Sequence, residues 1–215
     1  LNQGASIVLN HKSVLEKKFW NSLQKNKVSN FGGVPYTYSI LEKINFKNYD
    51  LKYLKYTTQA GGKINKKTVE NILKIYNSLD IKLYLMYGAA EATARMSYLP
   101  WKNIDKVESI GKAIPGGEFF LRDSNSKVIT EINTHGELIY KGKNVCMGYA
   151  ENFQDLSKDD ENKGVLKTGD VAYKDKENFY YLVGRKDRYI KIYGMRINLQ
   201  ELEGPEGDGL WLGPR

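Results

Sequence analysis

Three short patterns carry residues able to do chemistry. In "LYLMYGAAEA", residues 83–92, an apolar run delivers Tyr87 and Gly88 into a short break that ends in a carboxylate, Glu91. An aromatic ring stacks on a base, a glycine lets a ligand approach the backbone, and a glutamate holds Mg²⁺ bridged to phosphates. In "KTGD", residues 167–170, Asp170 follows a glycine turn. Its two oxygens can accept both hydroxyls of a ribose. In "GRKDRYIKIYGMRI", residues 184–197, Arg185 offers a charged fork for a ribose or phosphate. Asp187 sits in a polar break between two strand-like runs, and Lys191 lies inside the second, where packing has no need of a lysine. Taken singly, each pattern also fits a structural role: an aromatic plug at a strand end, an aspartate capping a turn, a lysine that discourages edge pairing.

The elements that must position these residues change character along the chain. In the first half, helix and strand signals alternate. "SVLEKKFWNSLQK" puts Leu15, Phe19 and Leu23 on one helical face, with Ser13 as N-cap. "KVSNF" reads as a strand closed by Gly32 and Gly33, and "PYTYSILEKI" opens with proline in a helix's first turn. "LKYLKYTTQA" reads as a strand running into Gly61 and Gly62. "NKKTVENILKIYNSL" reads as a helix with Val69, Ile72, Tyr76 and Leu79 inward, and "IKLYLMYG" as a strand. This alternation predicts an α/β layer with a largely parallel sheet over residues 1–109. From about Ile110, short strands separated by Gly, Asn and Asp turns ("GGEFFLRD", "KVITEI", "GELIYKG", "VLKTGDVAY", "FYYLVG") predict an antiparallel, barrel-like β unit over 110–184. "RYIKIYG" predicts a further strand and "NLQELE" the opening of a helix. In residues 204–215, four glycines and two prolines replace the lysine and asparagine found elsewhere. That stretch reads as a non-native tail.

The totals set bounds. With 215 residues and ordinary hydrophobic content, the chain can bury a sizeable core. A single cysteine, Cys146, excludes an internal disulfide and fits a reducing, cytoplasmic compartment. No apolar run reaches the ~18 residues of a membrane helix. The net charge is +8, yet the excess is lysine spread along the length, with no dense basic block. That distribution argues against nucleic acid, which rests on charge alone and predicts steep salt dependence. It suits a pocket for an anionic nucleotide.

The joint order of the patterns is more specific than any one of them. Gly61-Gly62, "YGAAE", "GELIYKGKNVCMGY", "KTGD", "GRKDRYIKIYGMRI" and "LQELE" follow one another in a single direction. Over residues 1–203 this order resembles the adenylate-forming superfamily of AMP-forming acyl-CoA synthetases, peptide-synthetase adenylation domains and luciferases. "EATARMSYLP" and "SIGKAIPGGEF" are most similar to its acyl-CoA synthetase and AMP-acid ligase branch. The resemblance implies the back half of the superfamily's large domain, an αβ-layer sheet followed by a barrel-like subdomain. Residues 185–203 would then be the hinge and first strand of the small C-terminal domain. It implies attack of a small carboxylic acid on Mg-ATP to give an acyl-adenylate, then a thioester with CoA or with the phosphopantetheine of a carrier protein. Gly61, Gly62, Met86, Tyr87 and Gly88 would line the adenine. Glu91 would meet Mg²⁺, Asp170 would grip the ribose, and Arg185 would add a second ribose contact. Asp187 matches the hinge. Lys191 and Gly194 would face the site in the thioester-forming arrangement, and Phe31, Gly32 and Gly33 would line the acyl pocket.

Three departures qualify that expectation. The superfamily's YGxTE carries Ala90 in place of the threonine whose hydroxyl meets a phosphate. A hydrogen bond to a charged group is worth ~1.5–3 kcal/mol, so its loss should weaken phosphate binding. The Gly-rich phosphate loop, which in relatives lies upstream of the position of Leu1, and the catalytic lysine of the small domain, which lies beyond Glu203, are both outside the sequence. A fragment without turnover of its own is therefore expected. The alternatives are an adenylation domain that loads a carrier protein, and a non-catalytic nucleotide-binding module.

Overall fold

The computed structural model describes residues 4–44, 46–186, 189–192 and 195–198. It divides into two compact units, Leu1–Tyr87 with Tyr98–Glu108, and Gly88–Ser97 with Ser109–Arg215.

In the first unit, β1 (Asn30–Gly33), β2 (Tyr56–Gln59) and β3 (Lys82–Tyr87) pair in parallel, with Gly33 opposite Gln59 and Gln59 opposite Leu85. Helices α2 (Pro35–Lys43) and α3 (Lys66–Ser78) supply the crossovers that parallel pairing requires, and α1 (Lys17–Lys25) precedes β1. Helix α2 starts on proline, and the Thr37 hydroxyl accepts the Val34 N–H at 3.3 Å. Helix α3 is capped by Asn65, whose side chain accepts the Lys67 N–H at 2.8 Å. Val69, Ile72 and Tyr76 of α3 are buried. Each such side chain taken from water contributes about 1.5–3 kcal/mol.

Five local expectations are corrected. Ser13 is not an N-cap: α1 begins four residues later behind Glu16, and Ser13 opens a turn that accepts the Glu16 N–H. Leu15 lies in that turn and points to solvent, while Val14 and Trp20 are buried and joined by a 2.8 Å bond from the indole N–H to the Val14 carbonyl. Leu79 is exposed because α3 ends at Ser78 and the chain turns through a left-handed Asp80. The strand expected over 51–60 is only β2; Leu51 and Leu54 form a turn that buries both leucines ahead of it. Gly32 and Gly33, read as closing a strand, lie inside β1, where Thr58 Oγ1 stands 3.0 Å from the place a Cβ would take on Gly32.

The core of this unit is aromatic. Trp20 stacks on Tyr49 at 4.8 Å and on Phe46 at 6.0 Å, and Phe46 meets the edge of Tyr76. Burial pushes the Tyr76 phenol up to about 12 and raises that of Tyr38. Both hydroxyls have partners in the sheet: Tyr38 donates to the Thr58 carbonyl, and Tyr76 accepts from Thr57. The polar ends are therefore satisfied without exposing the rings.

The short strand β4 (Ser97–Leu99) follows in the chain. The second unit is a bulged antiparallel sheet of β5 (Ser109–Ala113), β6 (Gly117–Arg122), β7 (Val128–Ile129), β8 (Gly136–Gly142), β9 (Val165–Lys174) and β10 (Tyr180–Arg185), in the order β5-β10-β9-β8-β6-β7. Period-2 alternation sends Phe119 and Leu121 of β6 into the core. In β8 the alternation fails: Leu138, Ile139 and Tyr140 are all buried, next to a register shift between Glu137 and Ile139. A second shift between Leu182 and Gly184 of β10 bends the sheet where its last strand delivers Arg185. Tyr180 donates to the Phe119 carbonyl and Ser109 to the Tyr180 carbonyl, tying β5, β6 and β10 together. The expected strand "KVITEI" is paired only at Val128–Ile129. The expected strand at 188–194 is β11 (Tyr189–Ile192), paired with β12 (Met195–Asn198) in a hairpin. Asn198, expected to open a helix, ends β12 instead; residues 199–203 of that expected helix and the tail 204–215 lie outside the described residues.

Candidate functional site

In the second unit the site is built around the turn that follows Tyr87. Gly88 is required there: a Cβ would meet the backbone of Ala94 and Arg95, at 2.8 Å from the Ala94 carbonyl carbon and 3.0 Å from Arg95 Cα. Ala90–Ala92 form one 3-10 turn, and Thr93 and Ala94 follow with φ of 48° and 64°. Two consecutive left-handed residues other than glycine persist only where their surroundings hold them. The holding comes from the stretch after β8. Asn144 donates to the carbonyls of Ala92 (2.7 Å) and Arg95 (2.9 Å) and accepts from the Tyr140 hydroxyl (2.8 Å). Thr93 donates to the Asn144 carbonyl at 2.9 Å, and the Cys146 N–H donates to the Glu91 carbonyl at 2.7 Å.

Glu91 is aimed by the same stretch. Its carboxylate accepts the Tyr149 hydroxyl at 2.5 Å. That bond, the residue's own N–H and the charge of Arg185 hold the carboxyl below its ordinary value against the opposing effect of desolvation. The phenol of Tyr149 is raised by the same contact.

Asp170 and Arg185 face each other across β9 and β10, with Nε 3.6 Å from Oδ1. The glycine turn expected before Asp170 is instead an irregular point inside β9: Gly169 has φ 72°, and Thr168 accepts the Asp170 N–H while donating to the Leu138 carbonyl. Asp170 is largely covered, with a side chain 17% exposed, while Arg185 is 53% exposed. Glu91, Asp170 and Arg185 thus share one unit, and a single guanidinium acts on both carboxylates.

In the first unit, Gly61 and Gly62 follow the carboxyl end of β2, beside the carboxyl end of β1. The Ala60 N–H reaches the Gly33 carbonyl at 3.1 Å, and Gln59 Nε2 donates to the Gly62 carbonyl. A Cβ on Gly61 would stand 3.4 Å from Val34, and one on Gly62 3.3 Å from Pro35. Met86 and Tyr87 end β3. Ligands of parallel sheets gather at these strand ends. Phe31 is half-buried and presents its ring edge-on to Phe19 and Trp20, so the aromatic cluster fixes its rotamer. Lys191 lies in β11 opposite Arg196. Asp187 and Gly194 are outside the described residues.

Among the described residues, no group of three or more His, Cys, Asp or Glu stands close enough to cage a metal. A lone carboxylate such as Glu91 fits Mg²⁺, which keeps waters and takes substrate phosphates as its remaining ligands. A separate open recess of about 490 Å³ is lined by Gly116, Gly117, Lys141, Gly142, Lys143 and Lys163, among others, and by none of the residues selected from the sequence. Asn144, Cys146 and Tyr149 are neighbours of the Glu91 turn that the sequence reading passed over, although they lie within "GELIYKGKNVCMGY". No helix of the described residues is long and apolar enough to cross a membrane.

Residues 1–150 match the family model described as AMP-binding enzyme. An acyl-CoA synthetase of Alternaria alternata is 27% identical over 187 residues, covering 86% of this chain and 32% of that protein. A luciferin 4-monooxygenase of Photuris pensylvanica is 30% identical over 191 residues, covering 88% and 34%. The chain thus spans about a third of the length of the curated relatives it matches. Among solved structures, the anthranilate CoA ligase bound to anthranoyl-AMP superposes with a TM-score of 0.73 at 20% identity, over 91% of this chain and 37% of that one. The o-succinylbenzoate CoA synthetase of Bacillus subtilis with its acyl-adenylate intermediate gives 0.70 at 25% identity, over 86% and 37%. The matched residues, the relatives and the shared fold together make this chain a member of the AMP-binding enzyme family, the adenylate-forming ligases.

Proposed function

We propose that this chain forms the ribose- and Mg²⁺-holding part of a ligase that joins a carboxylic acid to AMP and then passes the acyl group to CoA. The observation that carries the reading is the set of Glu91, Asp170 and Arg185 on one unit, with Asp170 covered and facing Arg185. A covered carboxylate with two acceptor oxygens suits a ribose diol, and Arg185 supports it from the neighbouring strand. Glu91 would hold Mg²⁺, which supplies positive charge to phosphate oxygens when bound. In the first unit, Gly61, Gly62, Met86 and Tyr87 would border the adenine, with Gly88 doing so in the second. Phe31, Gly32 and Gly33 would border the acyl chain. Asp187 would serve as hinge, and Lys191 and Gly194 would act in the thioester-forming stage.

CoA is preferred to a carrier protein as acceptor because the similar proteins named above include an acyl-CoA synthetase and CoA ligases. Ala90 favours a second reading, a module that holds nucleotide without turning it over. Both readings predict binding of a non-hydrolysable acyl-adenylate analogue, measured as a rise in melting temperature. Only the first predicts tighter binding of the acylated analogue than of AMP. No stabilisation by either ligand would contradict both.

A further inference from the structure

We infer that Tyr149 is the positioning residue of Glu91: its hydroxyl holds the carboxylate in the orientation the metal subsite needs. This rests on the nucleotide-site reading of Glu91 and deepens it. The stretch 144–149 makes three kinds of contact with the turn at 90–95. Asn144 and the Cys146 N–H bond backbone carbonyls, and the Thr93 hydroxyl bonds back to the Asn144 carbonyl, so all of these fix the path of the chain. Within that stretch, Tyr149 alone bonds the Glu91 side chain. The residue is 69% exposed, so packing contributes little to its presence there.

Without that bond, the Glu91 carboxylate loses the hydroxyl that holds its rotamer. The metal carboxylate would then be misplaced, while the ribose carboxylate keeps its Arg185 partner. Hydrogen-bond partners of metal-binding carboxylates typically matter by about 10–100-fold in metal affinity.

The test is Tyr149→Phe, which removes one oxygen and keeps the ring. Calorimetric titration is run with AMP alone and with ATP at low and high Mg²⁺. The expected result is AMP affinity within about twofold of wild type, an unchanged melting temperature, and loss of about tenfold in the Mg²⁺-dependent part of ATP affinity. In a Glu91→Gln background, Tyr149→Phe should add nothing further. Equal loss with AMP and Mg-ATP, no loss at all, or a full additional loss in the Glu91→Gln background would overturn the inference. A second readout needs no nucleotide: the Glu91 carboxyl ¹³C resonance should shift in Tyr149→Phe. Failure of the wild-type chain to bind nucleotide would sink the reading of Glu91 as a metal carboxylate, while this comparison still decides the contact. An unchanged Glu91 resonance would overturn it.

Discussion

Gly88→Ala is the smallest change that tests how tightly the Glu91 turn is built. The added methyl would lie 2.8 Å from the carbonyl carbon of Ala94 and 3.0 Å from Arg95 Cα, and closer still to the Ala94 carbonyl oxygen. All three are backbone atoms, so no rotamer change relieves the contact. The turn must move by roughly half an ångström, and overpacking of this kind costs about 1–3 kcal/mol. That turn is also held by Asn144 and Cys146, so the movement stretches the bonds to Ala92, Arg95 and Glu91 together. For a chain of this size, ~1 kcal/mol lowers the melting temperature by about 2–4 °C. Gly88→Ala should therefore melt roughly 2–12 °C below wild type by calorimetry, with Mg-ATP binding reduced more than AMP binding. A variant that melts with wild type and binds both ligands normally would refute the close approach of the Gly88 and Ala94 backbones.

Asn144→Ala leaves the Ala92 and Arg95 carbonyls and the Tyr140 hydroxyl each short of a partner. At about 0.5–1.5 kcal/mol per bond, chemical denaturation should show a loss of about 2–4 kcal/mol. Ala90→Thr restores the hydroxyl of the superfamily pattern and should raise Mg-ATP affinity about tenfold or more by titration, with no effect on AMP. Glu42 accepts from Asn71 and from Thr68, and these bonds hold its carboxyl below the ordinary 4.5. Its contribution is therefore complete above about pH 4.5 and lost as pH falls through the lower folded value. Melting curves from pH 6 to pH 3 should fall more steeply for wild type than for Glu42→Gln.

The order of the motifs made the family legible, and periodicity made the elements legible. The parallel β1–β3 and the antiparallel β6–β10 stand where alternating and short-strand signals put them, while β5 was not expected. What periodicity missed was decided by contacts distant in sequence. Leu15 belongs to the helical repeat, yet Trp20 wins the inward place because its indole finds the Val14 carbonyl. Leu51 and Leu54 read as strand residues because apolar content is shared by strands and buried turns. At the site, Glu91, Asp170 and Arg185 were visible as residue types in a known order, and Asp170 and Arg185 meet in register. Tyr149 and Asn144 were not, because their role lies in hydrogen bonds to residues 49–58 positions away. A single sequence carries no periodic trace of such pairs.

The most direct measurement is calorimetric titration of the purified chain with AMP and with Mg-ATP, repeated with Asp170→Ala. Binding that is lost by tenfold or more in a variant that still unfolds cooperatively is the predicted result. Wild-type binding that survives Asp170→Ala undiminished would contradict the assignment of Asp170 to the ribose, and with it the site reading on which the proposed function stands.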